Sequence, residues 1–378
     1  MNILIAAGGT GGHLFPGIAI AQAFMAKDPE NQILFVGTGK PFEKTVLAKA
    51  GFQHECIRAE GIKGRGLGRQ MISLLKLPMA IFESLKLIRH FGPDLLICMG
   101  SYVSGPVAVS AYLMGIPIVL HEQNSVPGIT NRMLSCFADR IYVSFHPSYR
   151  IRSTSLIRSD IRSGYSFYKV RQNSKKIVFT GNPVREEFRN CFSLPTSHFS
   201  LLIVGGSQGA RAINLALREA IAYIKEKDRF HFVHQSRPED EAAVRNAYAE
   251  QGISAKVSPF FHDMAALYRK ADLVICRAGA TTMAEITVLG KAAIFIPYPF
   301  AADNHQALNA RSLVDMGAGE MISEKDLDAK MLAEKIEYYA SHPEALEKMA
   351  DLAKQAGRPD AAERIVDDCY SFGDFQMR

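Results

Sequence analysis

Two stretches of this chain follow one pattern, in which an apolar run leads through a glycine-rich turn into a longer amphipathic segment. The first is NILIAAGGTGGH, residues 2–13, and the second is SLLIVGGSQGAR, residues 200–211. A strand that turns through glycines into a helix is the opening unit of a parallel sheet covered by helices. The two occurrences therefore predict two domains that share one α/β architecture.

Short apolar runs alternate with helix-length segments along most of the chain, which predicts parallel sheets with helices on both faces. The predicted strands are Ile3–Ala7, Gln32–Val36, Leu95–Met99, Ile116–His121, Arg140–Val143, Lys176–Thr180, Leu201–Val204, Phe230–His234, Lys256–Pro259, Leu273–Cys276, Ala293–Pro297 and Gly319–Ile322. The predicted helices include Gly17–Lys27, Ala210–Glu226, Glu239–Gln251, Ala280–Gly290 and Asn304–Met316.

The length of 378 residues exceeds the size at which a single core usually stops growing. Gly181 and Pro183, in TGNPVREEF, interrupt the alternation and mark a boundary. We predict an N-terminal domain over 1–182, a C-terminal domain over 183–356, and a final segment over 357–378 whose helix, Pro359–Tyr370, returns to the first domain.

The composition disfavours several classes of protein. The six cysteines form no CxxC pair, which disfavours a zinc site and favours free thiols in a cytosolic enzyme. No run reaches the roughly 18 apolar residues of a membrane span, and the first residues lack the features of a signal peptide. The net charge of +6 is concentrated between Arg58 and Arg89 and over 150–176, which favours anionic partners.

The turn GGTGGHLFP, residues 8–16, lies where an open parallel sheet binds ligands, beyond the carboxyl end of a strand. Glycine permits positive φ and close approach to backbone amides. With Pro16 in the first helical turn, these amides and the helix dipole favour a phosphate. His13 can accept a proton near neutral pH. A tight turn with a surface histidine is the alternative, and Leu14 breaks the GxGxxG spacing of dinucleotide sites.

Four more segments place polar or small residues after predicted strands: MGSYVSGP (99–106), HEQNSVPG (121–128), GGSQGAR (205–211) and CRAGATTMAEI through DNHQ (276–306). In the last, Thr281 or Thr282 is a candidate helix cap, and Glu285 lies about one turn into that helix. A carboxylate there can accept hydrogen bonds from vicinal ribose hydroxyls. Each segment alone fits a structural turn, but together they would ring one interdomain cleft.

These motifs, in this order and over nearly the whole chain, resemble glycosyltransferase family 28. Within it they resemble the peripheral membrane enzymes that add N-acetylglucosamine (GlcNAc) to undecaprenyl-pyrophosphoryl-N-acetylmuramoyl-pentapeptide in peptidoglycan synthesis. The resemblance implies an α/β GT-B fold, two Rossmann-like domains facing across a deep cleft. It also implies an inverting GlcNAc transfer from UDP-GlcNAc to the 4-hydroxyl of the lipid-linked acceptor, with cell-wall, cell-shape and cell-division roles.

The resemblance also assigns site residues. The donor would be bound by Thr10, Gly11, Gly12, Asn124, Arg185, Ser207, Gln208, Phe261, Ala280, Thr281, Glu285, His305 and Gln306. Glu285 would hold the ribose, the backbone near Phe261 the uracil, and Arg185 would offset the diphosphate charge. The acceptor and membrane set comprises Gly8, Gly9, Ser101, Tyr102, Ser104, Lys76, Lys86 and Arg89, with Thr10 to His13 near the acceptor pyrophosphate and hydroxyl.

His13 is the predicted general base, with Glu122 as a poorer candidate that orients its neighbours. No cofactor and no metal are expected, because UDP-GlcNAc is itself a substrate and no DxD triplet suggests a metal clamp. Helix dipoles and Arg185 would stabilise the leaving group. Two features depart from the family: Ser101 replaces a usual glycine, and the basic stretch 150–176 is longer than expected.

Residues 68–91 mix apolar side chains with Arg69, Lys76, Lys86 and Arg89, around a central Pro78. Such a surface can adsorb to anionic lipid, although Leu74, Leu77, Ile81 and Leu85 can equally pack on the sheet. The resemblance places the enzyme at the cytoplasmic face of the inner membrane, with UDP-GlcNAc, the lipid acceptor, the membrane and other cell-wall synthesis proteins as partners, and no nucleic acid. Two alternatives stay open: a glycosyltransferase for another lipid or aglycone, and a non-catalytic nucleotide-sugar-binding protein.

Overall fold

A computed structural model describes residues 1–59, 67–146, 176–189, 197–206 and 209–376. The chain divides into two compact units, one of Met1–Arg185 with Asp360–Arg378 and the other of Glu186–Pro359. These divisions lie a few residues beyond the boundaries expected after 182 and after 356. Lys63, Arg65, Cys191 and the basic stretch 150–176, except Lys176 itself, lie outside the described residues.

The first unit contains a seven-stranded parallel sheet with the order β3-β2-β1-β4-β5-β6-β7. Its strands are β1 (Asn2–Ala6), β2 (Gln32–Gly37), β3 (Gln53–Cys56), β4 (Leu95–Cys98), β5 (Ile118–Glu122), β6 (Arg140–Val143) and β7 (Ile177–Phe179). The helices that follow along the chain are α1 (Gly11–Lys27), α2 (Pro41–Lys49), α3 (Leu67–Phe91), α4 (Ser104–Leu113) and α5 (Ile129–Leu134).

The second unit contains a six-stranded parallel sheet with the order β10-β9-β8-β11-β12-β13. Its strands are β8 (Phe199–Val204), β9 (Phe230–Gln235), β10 (Ser254–Ser258), β11 (Leu273–Cys276), β12 (Ala292–Phe295) and β13 (Glu320–Met321). Its helices are α6 (Glu186–Arg189), α7 (Arg211–Ala220), α8 (Glu241–Glu250), α9 (Met264–Lys270), α10 (Ala280–Leu289), α11 (His305–Val314), α12 (Ala329–Ser341) and α13 (Pro343–Ala356). Single 3₁₀ turns span Lys227–Arg229, Ala302–Asn304 and Glu324–Asp326.

The last helix, α14 (Ala361–Gln376), belongs to the first unit and packs on α1. Ile365 and Val366 lie in the same apolar cluster as β1. Asp368 accepts a hydrogen bond of 2.8 Å from the hydroxyl of Tyr142 in β6. The C-terminal segment is thus a structural part of the N-terminal sheet.

The apolar runs are continuous because both faces of each sheet are covered. Ile3 and Ile5 of β1 pack in the cluster that contains α1 and α14 residues, while Leu4 and Ala6 pack in the cluster that contains α3 and α4 residues. Alternate side chains of one strand therefore serve two cores, and every position must be apolar.

Strand β3 was not predicted. Its sequence, QHEC, has no apolar run because it lies at the sheet edge, where most of its side chains are exposed or half-buried. The remaining strands agree with the prediction to within a few residues. Strand order reverses between β1 and β4 and between β8 and β11, so the crevices that bind ligands in such sheets lie beyond these strand ends.

Candidate functional site

The turn after β1 is shorter than predicted, because α1 begins at Gly11 rather than Gly17. Thr10 is the N-cap, in extended conformation, and Gly9 has φ +95°, which favours glycine. Gly11, Gly12 and His13 therefore form the first helical turn. Pro16 lies inside α1 and not in its first turn, so the predicted role of Pro16 as a helix starter is wrong.

A buried carboxylate that the sequence did not reveal holds this turn. Glu43, on α2, is fully buried and accepts hydrogen bonds from the backbone N–H groups of Gly9 (2.7 Å), Thr38 (2.8 Å) and Gly39 (3.0 Å). Burial alone would raise its pKa, but these bonds and that of the Thr38 hydroxyl hold the pKa below the ordinary 4.5. The Gly9 amide is therefore engaged by Glu43 and is not free to bind a ligand.

His13 and the end of β5 are joined through Gln123. Nδ1 of His13 lies 3.1 Å from Oε1 of Gln123, whose side chain is 2% exposed. Nε2 of Gln123 lies 3.1 Å from the carbonyl oxygen of Met99 and 3.1 Å from Nδ1 of His121. Burial lowers the pKa of His121 to about 4, so this ring is neutral near pH 7.

Glu122 organises the loop that follows β5. Its carboxylate accepts hydrogen bonds of 2.9 Å from the backbone N–H groups of Asn124 and Gly128 and from the side-chain amide of Asn131. Burial raises its pKa, and these bonds act in the opposite direction. A carboxylate so placed holds the loop that carries Gln123 and Asn124, which is the orienting role that the sequence suggested for it.

The loop between β4 and α4 carries Ser101, Tyr102 and Ser104. Ser104 is fully buried and donates a hydrogen bond of 3.2 Å to the carbonyl of Ala6, so its hydroxyl ties α4 to β1. Ser101 is buried, and its Oγ makes no hydrogen bond to the described residues. Tyr102 is half-buried. Ser101 therefore carries a buried hydroxyl that the described residues leave without a hydrogen bond.

Arg185, expected at the donor diphosphate, belongs to the first unit. Its guanidinium lies 4.2 Å from the ring centroid of Phe15 on α1, a cation–π geometry. The same ring fills the space beside Gly11, where an added Cβ would lie 2.7 Å from Phe15 Cε2. Gly11 therefore permits the ring position on which Arg185 stacks.

In the second unit, the turn after β8 also depends on glycine. Gly206 and Gly209 have φ of +81° and +69°, and a Cβ on Gly205 would lie 2.6 Å from the amide nitrogen of Ala210. The turn leads into α7, whose N-cap is Ala210. Ser207 and Gln208, predicted at the diphosphate, lie outside the described residues.

Glu285 is 8% exposed on α10 and lies beside the carboxyl end of β11. Its charge adds to burial in raising the pKa of the Cys276 thiol, the last residue of that strand. Gly279, and neither Thr281 nor Thr282, is the N-cap of α10, so the predicted threonine cap is wrong. Ala280 and Thr281 instead form the first turn above the strand end.

The loop after β12 is held in an uncommon backbone conformation. Asp303 and Asn304 have φ of 52° and 53°, in the left-handed region. Oε1 of Gln306 accepts a hydrogen bond of 2.9 Å from the Tyr298 amide, and Nδ1 of His305 lies 2.8 Å from the carbonyl of Ala302. These contacts hold both predicted sugar-binding side chains at the start of α11.

Phe261 follows β10, is 8% exposed, and has Nζ of Lys256 5.6 Å from its ring centroid. All strands of the second sheet are parallel, so the turns after β8, β10, β11 and β12 lie at one edge of that sheet. Phe261, Glu285, His305 and Gln306 therefore all lie along that edge. Gly8 to His13, Ser101 and Glu122 to Asn124 lie at the carboxyl edge of the first sheet, after the neighbouring strands β1, β4 and β5.

Comparison with known proteins assigns the family. Residues 3–143 match the glycosyltransferase family 28 N-terminal domain, and residues 200–365 match the glycosyltransferase family 28 C-terminal domain. The chain belongs to glycosyltransferase family 28. As a family 28 member it is a hexosyltransferase, and its two Rossmann-like parallel-sheet units are those of the GT-B fold.

Curated family 28 relatives are similar along their whole length. A protein of Syntrophus aciditrophicus is 46% identical over 98% of both chains, and one of Geobacter sulfurreducens is 43% identical over 97% of this chain and 98% of that protein. Both are named UDP-N-acetylglucosamine–N-acetylmuramyl-(pentapeptide) pyrophosphoryl-undecaprenol N-acetylglucosamine transferase. The crystal structure of Acinetobacter baumannii MurG matches with a TM-score of 0.72 and 29% identity, over 97% of this chain and 98% of that chain.

Two further findings concern the described part of the chain, one about membrane-spanning helices and one about metal sites. None of its helices combines the length and apolar character needed to cross a membrane. No three of its His, Cys, Asp or Glu side chains are grouped so that they can hold a metal ion.

Proposed function

We propose that this family 28 enzyme transfers GlcNAc from UDP-GlcNAc to the 4-hydroxyl of undecaprenyl-pyrophosphoryl-MurNAc-pentapeptide, which converts lipid I to lipid II in peptidoglycan synthesis. The observation that carries the proposal is the 46% identity with the Syntrophus aciditrophicus transferase over 98% of both chains. Because both family 28 domains match, the similarity covers the first unit as well as the second unit, where the donor is expected to bind. The match thus favours this acceptor over other lipids.

His13 is the general base in the proposed mechanism. Nε2 of its neutral ring takes the proton of the 4-hydroxyl while the oxygen attacks the anomeric carbon. The bond from that carbon to the diphosphate breaks, its electron pair leaves with UDP, and a β-linked product forms with inversion. The N-terminus of α7 stabilises the charge that develops on the diphosphate, together with Arg185. Most of the acceleration comes from alignment of the two bound substrates.

In this proposal the donor is bound by the following residues. The buried Glu285 carboxylate binds the two ribose hydroxyls, and the backbone beside Phe261 binds the uracil. His305 and Gln306, fixed at the start of α11, bind the sugar hydroxyls, and Asn124 is a further donor-binding residue in this proposal. Thr10, Gly11 and Gly12 lie beside His13, where the acceptor pyrophosphate meets the first turn of α1.

The test is turnover and donor binding of a His13→Ala variant. We expect kcat to fall by about 10²- to 10⁴-fold, the range of a lost general base, with the Kd for UDP-GlcNAc unchanged. His342→Ala, an exposed histidine that precedes α13 in the second unit, is the matched control and should keep wild-type turnover. Wild-type kcat in His13→Ala would overturn the role of His13. Transfer to diacylglycerol but not to the lipid I acceptor, or donor binding without turnover in the wild-type protein, would overturn the proposed function.

We further propose that the enzyme is peripheral, at the cytoplasmic face of the inner membrane, and contacts anionic lipid through α3. Ala80, Ser84 and Ile88 form the buried side of this helix. Its other side exposes Met79 (52%) and Phe82 (69%), between the exposed cations Lys76, Lys86 and Arg89. Exposed apolar side chains flanked by cations fit an anionic bilayer surface.

A further inference from the structure

The orientation of the Gln123 side chain follows from its surroundings. One end of the amide lies 3.1 Å from the carbonyl oxygen of Met99 and 3.4 Å from the carbonyl oxygen of His121. Carbonyl oxygens only accept hydrogen bonds, so the NH₂ group must occupy this end. The amide oxygen therefore faces His13, and it can only accept from Nδ1, 3.1 Å away.

We infer that Gln123 is a positioning residue whose amide oxygen accepts a hydrogen bond from Nδ1–H of His13 and thereby keeps the basic lone pair of the neutral ring on Nε2. This inference rests on the proposed function, because it concerns the histidine that serves as the base there. A neutral imidazole carries one proton, so a donor Nδ1 requires a proton-free Nε2. Gln123 itself does not exchange a proton at any step.

His121 and the backbone hold Gln123 in this orientation. Nδ1 of His121 lies 3.1 Å from the Gln123 NH₂ group, so it must be an acceptor and the ring proton must lie on Nε2. That nitrogen lies 3.5 Å from the carbonyl oxygen of Gly181, which can accept a hydrogen bond from it. Because burial lowers the pKa of His121 to about 4, the ring stays neutral and keeps Nδ1 as an acceptor near pH 7.

The hydrogen bond between His13 and Gln123 is useful both before and after the proposed proton transfer. Before reaction, Nε2 of His13 can accept the proton of the attacking hydroxyl. After the transfer, the imidazolium retains its Nδ1–H bond to the Gln123 oxygen, so the positive charge is partly offset without movement of the ring. An amide can do this without bringing a second negative charge beside the acceptor pyrophosphate.

The direct test is the tautomer of His13, read from the two-bond ¹⁵N–¹H correlations of its ring in protein with ¹⁵N-labelled histidine. The signals of His13 are assigned by their loss in His13→Asn. We expect the wild-type ring, in its neutral form, to carry the proton on Nδ1. A predominant Nε2–H form would overturn the inference, and this measurement needs no Gln123 variant to fold.

The second measurement uses Gln123→Met, which removes the acceptor but keeps the length of the side chain. We expect His13 to shift towards the Nε2–H form and kcat to fall about 10-fold or more, with the Kd for UDP-GlcNAc unchanged. Gln22→Met on α1 is the matched control, because it makes the same exchange away from His13 and should leave tautomer and kcat unchanged. An unchanged His13 tautomer in folded Gln123→Met would overturn the inference.

The role of His13 as the base and the role of Gln123 in setting its tautomer are tested by different measurements, so either can be wrong without the other. The loss of kcat in His13→Ala tests whether His13 is the base, whereas the ring correlations report on Gln123 whatever the reaction. Circular dichroism and thermal unfolding of Gln123→Met, compared with Gln22→Met, establish that the ring signals come from folded protein.

Discussion

Oε1 of Glu43 accepts a hydrogen bond of 2.7 Å from the backbone N–H of Gly9, which joins a fully buried carboxylate on α2 to the turn that begins α1. Both carboxylate oxygens are used, since Oε2 accepts from the amides of Thr38 and Gly39 at 2.8 Å and 3.0 Å. The turn therefore owes its shape to a side chain 34 residues away.

Glu43→Gln should destabilise the protein although it keeps the shape of the side chain. An amide has one acceptor oxygen, so in either orientation its NH₂ group faces a backbone N–H. We expect the free energy of unfolding to fall by about 1–3 kcal/mol, the cost of an unsatisfied buried polar group, in urea titrations. Glu30→Gln, an exposed carboxylate of the same unit, should be close to neutral. Equal stability of the two variants would contradict the role of Glu43.

Gly11→Ala and Gly12→Ala form a matched pair on adjacent residues of α1. A Cβ at Gly11 would lie 2.7 Å from Phe15 Cε2, whereas a Cβ at Gly12 would have its nearest neighbour, Thr10 Oγ1, at an ordinary 3.7 Å. We expect the first variant to lose about 1–3 kcal/mol through displacement of Phe15 and Arg185. The second should gain up to about 1 kcal/mol from helix propensity. Thermal unfolding would refute the packing account if both variants behaved alike.

Glu285→Ala should weaken UDP binding by about 1.5–3 kcal/mol if its carboxylate binds the ribose, because hydrogen bonds to charged groups have this strength. The control is a second ligand, 2′,3′-dideoxy-UDP, which lacks both ribose hydroxyls. Isothermal titration should find that the dideoxy ligand binds wild-type and variant protein with the same affinity. An equal loss for both ligands would show that the substitution acts through the fold instead.

Stability should fall as the pH drops below 6.5, in part through His234. Burial lowers its pKa to about 3, and its ring lies 3.0 Å from Asn214 Oδ1 and 3.1 Å from the Tyr248 hydroxyl. Because the unfolded chain binds the proton more readily, this contribution is complete above 6.5 and is lost as the pH falls towards 3. Each unit of pKa difference is worth about 1.4 kcal/mol.

His234→Gln should therefore show a weaker pH dependence than wild type between pH 6.5 and 4, whatever its stability at pH 7. Urea titrations at several pH values measure this slope directly. His198→Gln, an exposed histidine of the same unit, should retain the wild-type slope. A variant slope identical to wild type would exclude His234 as a source of acid sensitivity.

Charge reversal at Lys76, Lys86 and Arg89 should weaken binding to vesicles that contain anionic lipid, by on the order of 1 kcal/mol per cation that meets the surface. Phe82→Ser should weaken it further through lost apolar contact. Reversal of Lys330 and Lys348 on the second unit should have no such effect. If sedimentation with anionic vesicles is unaltered by the α3 changes, this helix is not the contact.

The sequence alone determined the two α/β units, nearly all the strands and the turns that carry the site, because fully buried strands must be apolar at every position and strand-to-helix turns require glycine. It left out β3, whose edge position removes the need for an apolar run. It also placed the start of α1 too late, since two glycines in a first helical turn have low helix propensity and resemble a loop.

Only the tertiary structure decided which polar side chains act together. Nothing in the segment PFEK marks Glu43 as the group that holds Gly9, and nothing in HEQN distinguishes the Gln123 that contacts His13 from its neighbours. Local patterns report on burial and turn geometry, which are properties of adjacent residues. A hydrogen bond between residues 110 positions apart depends on how sheets and helices bring them together, and no local pattern records it.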